Sequence, residues 1–257
     1  MLKTIETAQE AAFPLTGDFL AGRLRKHLSS DDLQYIEGLI DGTLFLPARE
    51  TLVEGGRRVD VSAILVSGFA FRTIERDDKR YIVGVHLPGD FVDLHAFALK
   101  RLDHSIVAVD DVKVGVVQHS KLKQVMRDRP KIARAMWFST LLDAAIHRKW
   151  IQMLEGLDAP QRIAHIYCEL QTRLELIGSA NQRVLRAPFT QKDIAEMCGV
   201  SAIHANRAVS KLRELNLGEI RRGSLYTSNW DALRDYAGFD ASYLYGDGPL
   251  RMNEEWD

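Results

Sequence analysis

Between Thr43 and Val117 the hydrophobic residues fall in short β-type runs, which glycines or charged turns interrupt. Short strands that follow one another this closely are typical of a barrel or of a jelly-roll-like sandwich. We therefore expect a β-rich domain over residues 1–128, with a loose arm over residues 1–28 and a short helix near Asp31–Ile40. The predicted strands cover Thr43–Leu46, Ala63–Val66, Phe69–Ile74, Tyr81–Val85, Ser105–Val109 and Val112–Val117.

The spacing of hydrophobic residues becomes helical at Ser120, and from Pro130 to Leu154 neither a glycine nor a second proline interrupts this pattern. This pattern predicts one helix of about seven turns. A helix that is apolar on two faces packs one face on its own domain and the other on a second copy of the chain, unless it is the core helix of a monomer. We predict a dimerisation helix over residues 129–156. One apolar stripe consists of Ile132, Ala135, Ser139, Leu142, Ile146 and Met153. The other, assigned to the dimer, consists of Trp137, Thr140, Ala144, His147, Ile151 and Leu154.

Gly156 ends the long helix, and the next helix begins at Asp158 with Pro160 in its first turn and runs to about Ile177. Aspartate is a preferred N-cap, and proline is tolerated in the first helical turn.

A helix-turn-helix is predicted next. Thr190-Gln191-Lys192-Asp193 has the form of a capping box, so a short helix begins there. The small residues Ala195 and Gly199 let two helices cross closely, and Ser201 is a natural N-cap for the second helix. This spacing is typical of a helix-turn-helix, which we place in a domain over residues 157–257.

The outer face of the second helix carries Asn206 and Arg207, which can bond bidentately to adenine and guanine in the major groove. Further on, Arg221 and Arg222 stand beside a glycine in a predicted hairpin, as in a wing that contacts phosphates. Residues 183–222 contain eight basic side chains and four acidic ones, which gives the local positive charge that DNA requires. A three-helix module for protein contacts is the alternative. The predicted DNA contacts are Thr190, Gln191, Lys192, Ser201, Ala202, Ile203, His204, Asn206, Arg207, Ser210, Lys211, Arg221 and Arg222.

Composition agrees with two packed domains, because 257 residues exceed one typical core and 46% of them are hydrophobic. The formal net charge is -1, so global charge neither indicates nor excludes a nucleic-acid partner. The segment Met1–Phe13 lacks the apolar core of a signal peptide, and no run approaches the roughly 20 apolar residues of a membrane span. We expect a cytoplasmic protein without a membrane partner.

Four segments resemble the Crp/Fnr family of bacterial regulators. FTQKDIAEMCGVSAIHANRAVSKL (Phe189–Leu212) is similar to the family's helix-turn-helix, and AGFDASYL (Ala237–Leu244) resembles the tail of one bacterial branch. LVSGFAFR (Leu65–Arg72) and LPGDFVD (Leu87–Asp93) resemble the glycine-bearing turns of a cyclic-nucleotide-binding β-roll. The resemblance covers roughly residues 20 to 245.

This resemblance implies an α+β chain, with an N-terminal cyclic-nucleotide-binding-like β-roll (a jelly roll), a long dimerisation helix and a C-terminal winged helix-turn-helix. It also implies a homodimer on a near-palindromic site in double-stranded DNA, contact with RNA polymerase and a sensor for a small-molecule effector. Ala202 and Ile203 depart from the Arg-Glu pair of the catabolite activator protein, which leaves the target sequence open. A ligand-binding regulatory subunit that acts through protein contacts and an enzyme with a DNA-binding appendage are the competing functions.

The effector is predicted not to be cyclic AMP. In the cyclic-nucleotide branch a Gly-Glu pair holds the ribose and an Arg-Ser pair neutralises the phosphate, whereas the matching positions here hold Asp93-Leu94 and His104-Ser105. On the dimer helix His147-Arg148 replaces two small hydroxyl residues. A different acidic effector, or none, stays open. The residues assigned to the pocket are Gly89, Asp90, Asp93, Leu94, His104, Ser105, His147 and Arg148.

No cofactor is expected. An iron–sulfur cluster needs four thiolates, and the chain has only Cys168 and Cys198. Cys198, in the turn of the helix-turn-helix, is interpreted as a small buried filler rather than a redox sensor. Asp93 and His95 could project from one side of a strand near His104 as metal or haem ligands, but a polar rim is the commoner reading. Neither a nucleophile elbow nor a glycine-rich phosphate loop is present in the sequence, so no enzymatic activity is predicted.

Overall fold

The computed structural model describes residues 12–246. Within that range the chain divides into two compact units, one made of residues up to Ala70 together with 86–141, and the other of residues 71–85 together with those from Leu142 onward. Residues 1–11 of the predicted arm and residues 247–257 lie outside the described residues.

The first unit contains most of the β-structure. Strands β1 (Gly42–Leu46), β7 (Val112–Gln118) and β3 (Val61–Ser67) form an antiparallel sheet in the order β1-β7-β3. Strands β2 (Thr51–Val53) and β6 (Ser105–Ala108) pair antiparallel, with an irregular register in β2. The inward side chains form an apolar core, because alternate residues of a strand point to the same face. That core contains Val53, Ala63, Leu65, Val92, Leu102, Ile106, Ala108, Val112 and Val114.

Three α-helices lie wholly within the described part of this unit: α1 (Ser30–Gly38), α2 (Ala96–Leu99) and α3 (His119–Asp128). The predicted helix near Asp31–Ile40 is therefore confirmed, with Ser29 and Asp32 forming a capping box at its start. The sequence pattern missed α2 and the strand β2, because four and three residues are too few for a hydrophobic pattern to repeat.

The prediction of a loose arm was wrong for its described part. Phe19 is 1% exposed and packs edge-on against Phe91, and a short 3-10 helix covers Leu24–His27. The guanidinium of Arg25 donates to the Thr16 carbonyl over 2.8 Å, and Glu37 accepts from the Thr16 amide and hydroxyl. These contacts give the segment its own buried core and polar anchors.

The second unit includes a hairpin that lies early in the sequence. Strands β4 (Ala70–Arg76) and β5 (Lys79–His86) are neighbours joined by Asp77 and Asp78, whose φ angles are 52° and 58°. Two consecutive residues in the left-handed region are typical of a type I′ turn, which matches the right-handed twist of the flanking strands. Aspartate tolerates this region better than most side chains do.

The rest of this unit is a small helical and β domain. Its helices are α5 (Ala159–Leu176), α6 (Gln191–Met197), α7 (Ala202–Glu214) and α8 (Trp230–Ala237). A three-stranded sheet has the order β8-β10-β9, with β8 at Val184–Leu185, β9 at Glu219–Arg221 and β10 at Ser224–Tyr226. A 3-10 helix at Ala241–Leu244 ends the described fold.

The long helix α4 covers Pro130–Gly156, so the predicted helix is confirmed. The stripe assigned to the chain's own core is buried at Ile132, Ala135, Leu142, Ile146 and Met153, with Ser139 half-buried. The opposite stripe is exposed at Trp137 (65%), Ile151 (67%) and Leu154 (37%), and its members Thr140, Ala144 and His147 are half-buried. Leu141, which was not assigned to this stripe, is 50% exposed. None of the described helices combines the length and apolar character needed to cross a membrane.

A buried carboxylate joins several elements of the second unit. Glu169 on α5 is fully buried and accepts from the Trp150 indole over 3.1 Å and from the Tyr243 hydroxyl over 2.7 Å. Arg173 donates to Glu169 over 3.4 Å and to the Val85 carbonyl over 2.9 Å. Because a buried charge is stable only when it is paired and hydrogen-bonded, this network ties α4, α5, the hairpin and the C-terminal 3-10 helix together.

Candidate nucleic-acid interface and sensor segment

Capping hydrogen bonds fix the start of each helix in the helix-turn-helix. The Thr190 hydroxyl accepts from the Asp193 amide over 3.1 Å, and the Asp193 carboxylate accepts from the Thr190 amide over 2.8 Å, which confirms the predicted capping box. Gly199 makes the turn with a φ of 64°, and Ser201 caps α7 by accepting from the His204 amide. The two helices α6 and α7 contact each other.

Helix α7 buries one face and presents the other to solvent. Ala205, Ala208 and Leu212 are buried, and Ile203 is 69% exposed at the start of the opposite face. The predicted base readers Asn206 and Arg207 lie on that opposite face. Of the predicted contacts on α7, Ala202, Ile203, His204, Asn206, Arg207 and Lys211 are exposed, and Ser210 is half-buried.

The start of α6 contributes three further exposed residues, Thr190, Gln191 and Lys192. The Lys192 ammonium lies 3.8 Å from the Glu196 carboxylate, but 76% of the lysine side chain is exposed. Helix N-termini favour anions, since free backbone N–H groups and the helix dipole both point toward them. The Asp193 carboxylate already occupies this end of α6, so the exposed Lys192 is the group there that can meet a phosphate.

The predicted wing is a hairpin of β9 and β10, turned by Arg222 and Gly223 with φ angles of 49° and 80°. Any side chain at Gly223 would collide with the backbone of Phe189, so the turn requires glycine there. Arg221 forms an ion pair of 2.6 Å with Glu219, and its hydrogen bond lowers the pKa of that carboxyl. Arg222 is exposed and makes no ion pair within residues 12–246, so its charge is available to a phosphate.

The predicted sensor residues near Gly89 serve the fold of the β-roll. Gly89, with a φ of 88°, packs against the Asp18 backbone, where a side chain would collide. Asp90 accepts from the Leu87 amide over 2.8 Å. Asp93 is 1% exposed and accepts from the Ala63 amide over 2.7 Å, while Leu94 is buried.

The second sensor pair is also engaged locally. His104 lies 2.7 Å from Asp103, and its ring contacts the His95 ring at a centroid distance of 5.2 Å. The Ser105 hydroxyl accepts from the Gly55 amide over 3.0 Å. The idea that Asp93 and His95 project from one strand was wrong, because a turn occupies these positions and His95 is the N-cap of α2.

A buried arginine, which the sequence reading did not assign to a site, lies beside His147. Arg72 on β4 is 4% exposed; its Nη1 donates to Asp143 over 2.8 Å and lies 2.8 Å from His147 Nε2. Because a guanidinium only donates, this contact requires an unprotonated Nε2. Burial lowers the pKa of His147, and the Arg72 charge lowers it further. Arg148, the other predicted pocket residue on α4, is exposed.

Both cysteines are buried, as predicted for Cys198. Burial raises the pKa of Cys168 and of Cys198 to about 12. A thiol reacts as its thiolate, so neither side chain has the low pKa of a redox sensor.

Comparisons with known proteins agree with this architecture. A model of the Crp-like helix-turn-helix domain matches residues 161–236, and a model of the cyclic nucleotide-binding domain matches residues 43–129. The transcriptional activator protein FnrL of Cereibacter sphaeroides is 27% identical over 172 residues, which are 65% of this chain and 68% of that protein. The nitrogen fixation regulation protein FixK of Rhizobium meliloti is 24% identical over 177 residues, 69% of this chain and 77% of that protein.

A solved structure of FixK2 from Bradyrhizobium japonicum superposes with a TM-score of 0.70 at 20% identity, covering 78% of this chain and 98% of that one. At this identity the likeness shows a shared fold. Together with the two matched domains and the curated relatives, it shows that this chain belongs to the Crp/Fnr superfamily of DNA-binding transcription regulators.

Proposed function

We propose that the chain works as a homodimer that reads a near-palindromic site in double-stranded DNA and meets RNA polymerase at the promoter. The observation that carries this proposal is the exposed pair Asn206 and Arg207 on the solvent face of α7, whose other face is buried in its own domain. Asparagine and arginine at such positions can bond bidentately to adenine and guanine. We further propose that the protein acts in the cytoplasm and as a regulator rather than as an enzyme.

The exposed stripe of α4 supports a second copy as the dimer partner. Trp137, Leu141 and Ile151 are each at least half exposed on one helix face, and monomeric proteins rarely leave such apolar stripes uncovered. Two parallel copies of α4 would bury the stripes against each other. Two-fold symmetry then places the two α7 helices on half-sites about 34 Å apart. In this proposal the sensor covers residues 1–128, the dimerisation helix covers residues 129–156 and the DNA-binding domain covers residues 157–257.

The residues at the sensor positions do not fit cyclic AMP. The Asp93 carboxylate accepts a hydrogen bond from the Ala63 amide, and the negative charge of Asp93 would repel a phosphate. Arg101, the arginine nearest to this segment, donates to the Gly56 carbonyl instead. On the helix side, Arg72 is held by Asp143 and His147. An acidic effector would have to compete with the Asp143 carboxylate for that guanidinium, so the proposed sensor binds another ligand or none.

The test compares two arginines on two kinds of duplex. A binding site is first selected from random DNA, and affinities of wild type, Arg207→Ala and Arg222→Ala are then measured by fluorescence anisotropy on the selected and on a scrambled duplex. Loss of one bidentate base contact should cost Arg207→Ala about 1–3 kcal/mol on the selected duplex and little on the scrambled one.

Arg222→Ala is the matched control, because it removes a phosphate contact that both duplexes share. It should weaken both by the same factor and reduce the slope of log affinity against log salt by about 1. Equal losses on both duplexes for Arg207→Ala would contradict its role as a base reader.

A further inference from the structure

Arg80, at the start of β5, holds two carboxylates of helix α6. Its Nη2 donates to Asp193 over 2.6 Å and its Nε donates to Glu196 over 2.7 Å. The Arg80 side chain is 21% exposed, that of Asp193 1% and that of Glu196 14%. Charge-assisted hydrogen bonds in such a shielded place are stronger than those between neutral groups.

Asp193 is already part of the helix-turn-helix. Its Oδ2 accepts from the Thr190 amide and hydroxyl, each over 2.8 Å, whereas its Oδ1 accepts from Arg80. The same carboxylate therefore caps α6 and anchors it to the hairpin. Removing Arg80 would leave Oδ1 buried without its cation, which is costly for a charged group.

A second contact holds the same end of α6. The ring of Phe71 on β4 lies 5.4 Å from the ring of Phe189, the residue just before the capping Thr190. Phe189 also packs against Tyr167 on α5. The hairpin thus meets the start of the helix-turn-helix at an aromatic contact and at an ion cluster, although in sequence it belongs to residues 43–129, which match the cyclic nucleotide-binding model.

We propose that Arg80 is a positioning residue for DNA reading: it fixes α6 on the β4–β5 hairpin and so sets the direction in which α7 presents Asn206 and Arg207. Helix α7 follows α6 after a turn of four residues, Cys198–Ser201, and contacts it, so a tilt of α6 would be passed to α7. Arg80 itself is turned toward carboxylates and is not a phosphate contact. The inference rests on the proposed base contacts of α7.

The experiment uses the full chain and three variants, measured by anisotropy on the selected duplex over a series of salt concentrations. Arg80→Gln should lower specific affinity about 2- to 30-fold, the range of a modest coupling energy. Its salt slope should stay that of wild type, because no phosphate contact is lost. Arg76→Gln is the matched control, since Arg76 lies on the same hairpin, is 81% exposed and pairs only with Asp77 within the described residues.

Glu196→Gln provides the second arm, because it weakens the cluster while leaving the Arg80–Asp193 contact and the capping box in place. If Arg80 acts through Glu196, the double variant should lose less affinity than the two single losses combined. Amide hydrogen exchange of the free protein should rise in α6 for Arg80→Gln and not for Arg76→Gln. Should Arg80→Gln fail to fold by circular dichroism, Glu196→Gln alone carries the affinity and exchange measurements.

Wild-type affinity in both Arg80→Gln and Glu196→Gln, or a salt slope reduced by about one phosphate in Arg80→Gln, would overturn the proposal. A wild-type protein that bound selected and scrambled duplexes equally would instead refute base reading by α7. Hydrogen exchange would still decide whether Arg80 holds α6, so the two failures are distinguishable.

Discussion

His165 makes the stability of the second unit dependent on pH. The imidazole is 1% exposed, stacks on Tyr243 at a centroid distance of 6.3 Å and meets the edge of Phe239 at 5.1 Å. Burial, with a further effect from Lys149, lowers the pKa of His165 to about 4. An imidazole in the unfolded chain has a pKa of about 6.5.

Because the folded pKa lies below the unfolded one, the unfolded chain binds more protons in between. The free energy of unfolding is therefore highest above about pH 6.5 and falls as the pH drops toward 4. For a single group with these two pKa values the loss is about 2 kcal/mol between pH 7 and pH 5, and about 3 kcal/mol by pH 4.

The assay is urea unfolding of wild type and His165→Gln at about pH 7 and pH 5, with the difference between the two pH values taken for each protein. Burial also lowers the pKa values of His119 and His147, but both proteins contain these groups, so their effect cancels. The variant should lose about 2 kcal/mol less than wild type on acidification. Parallel losses in the two proteins would refute the assignment of this pH dependence to His165.

Two further predictions concern the dimer and the effector. Ile151→Glu puts a charge in the exposed stripe of α4, so it should sediment as a monomer at micromolar concentration and lose DNA binding. The neighbouring variant Gln152→Glu should stay dimeric. A monomeric wild type would contradict the interface. Calorimetric titration with cyclic AMP should give no binding at low micromolar concentration, because the replaced charge-assisted contacts are worth about 3–6 kcal/mol. A low-micromolar dissociation constant would contradict the assignment of the pocket.

The sequence was most informative where a structural feature depends on neighbouring residues. The capping pairs Thr190–Asp193 and Asp158–Gln161 close within one helical turn, so their residue types are sufficient to locate helix starts. Ser201 and the turn at Gly199 belong to the same class. The two faces of α4 could be separated because a long helix repeats its pattern many times.

Contacts between distant segments could not be predicted in the same way. Arg80 and Asp193 are 113 positions apart, and nothing in the residues around Arg80 distinguishes it from the exposed Arg76 on the same hairpin. Asp93 illustrates the reverse case, because the residue was assigned to a ligand pocket by alignment, whereas its carboxylate binds the Ala63 amide. A polar residue type does not reveal whether the fold or a ligand uses it.

Strand β4 makes contacts with different segments of the chain on its two faces. Phe71 and Arg72 are consecutive, so their side chains leave opposite faces of the strand. Phe71 meets Phe189 at the start of the helix-turn-helix, and Arg72 meets Asp143 and His147 on α4. Any change at Arg72 that shifts β4, whether protonation of His147 or an anion that competes with Asp143, acts on the strand that also carries Phe71. Strand β4 therefore connects the Arg72 contacts on α4 with the Phe71 contact at the start of the helix-turn-helix through two consecutive residues.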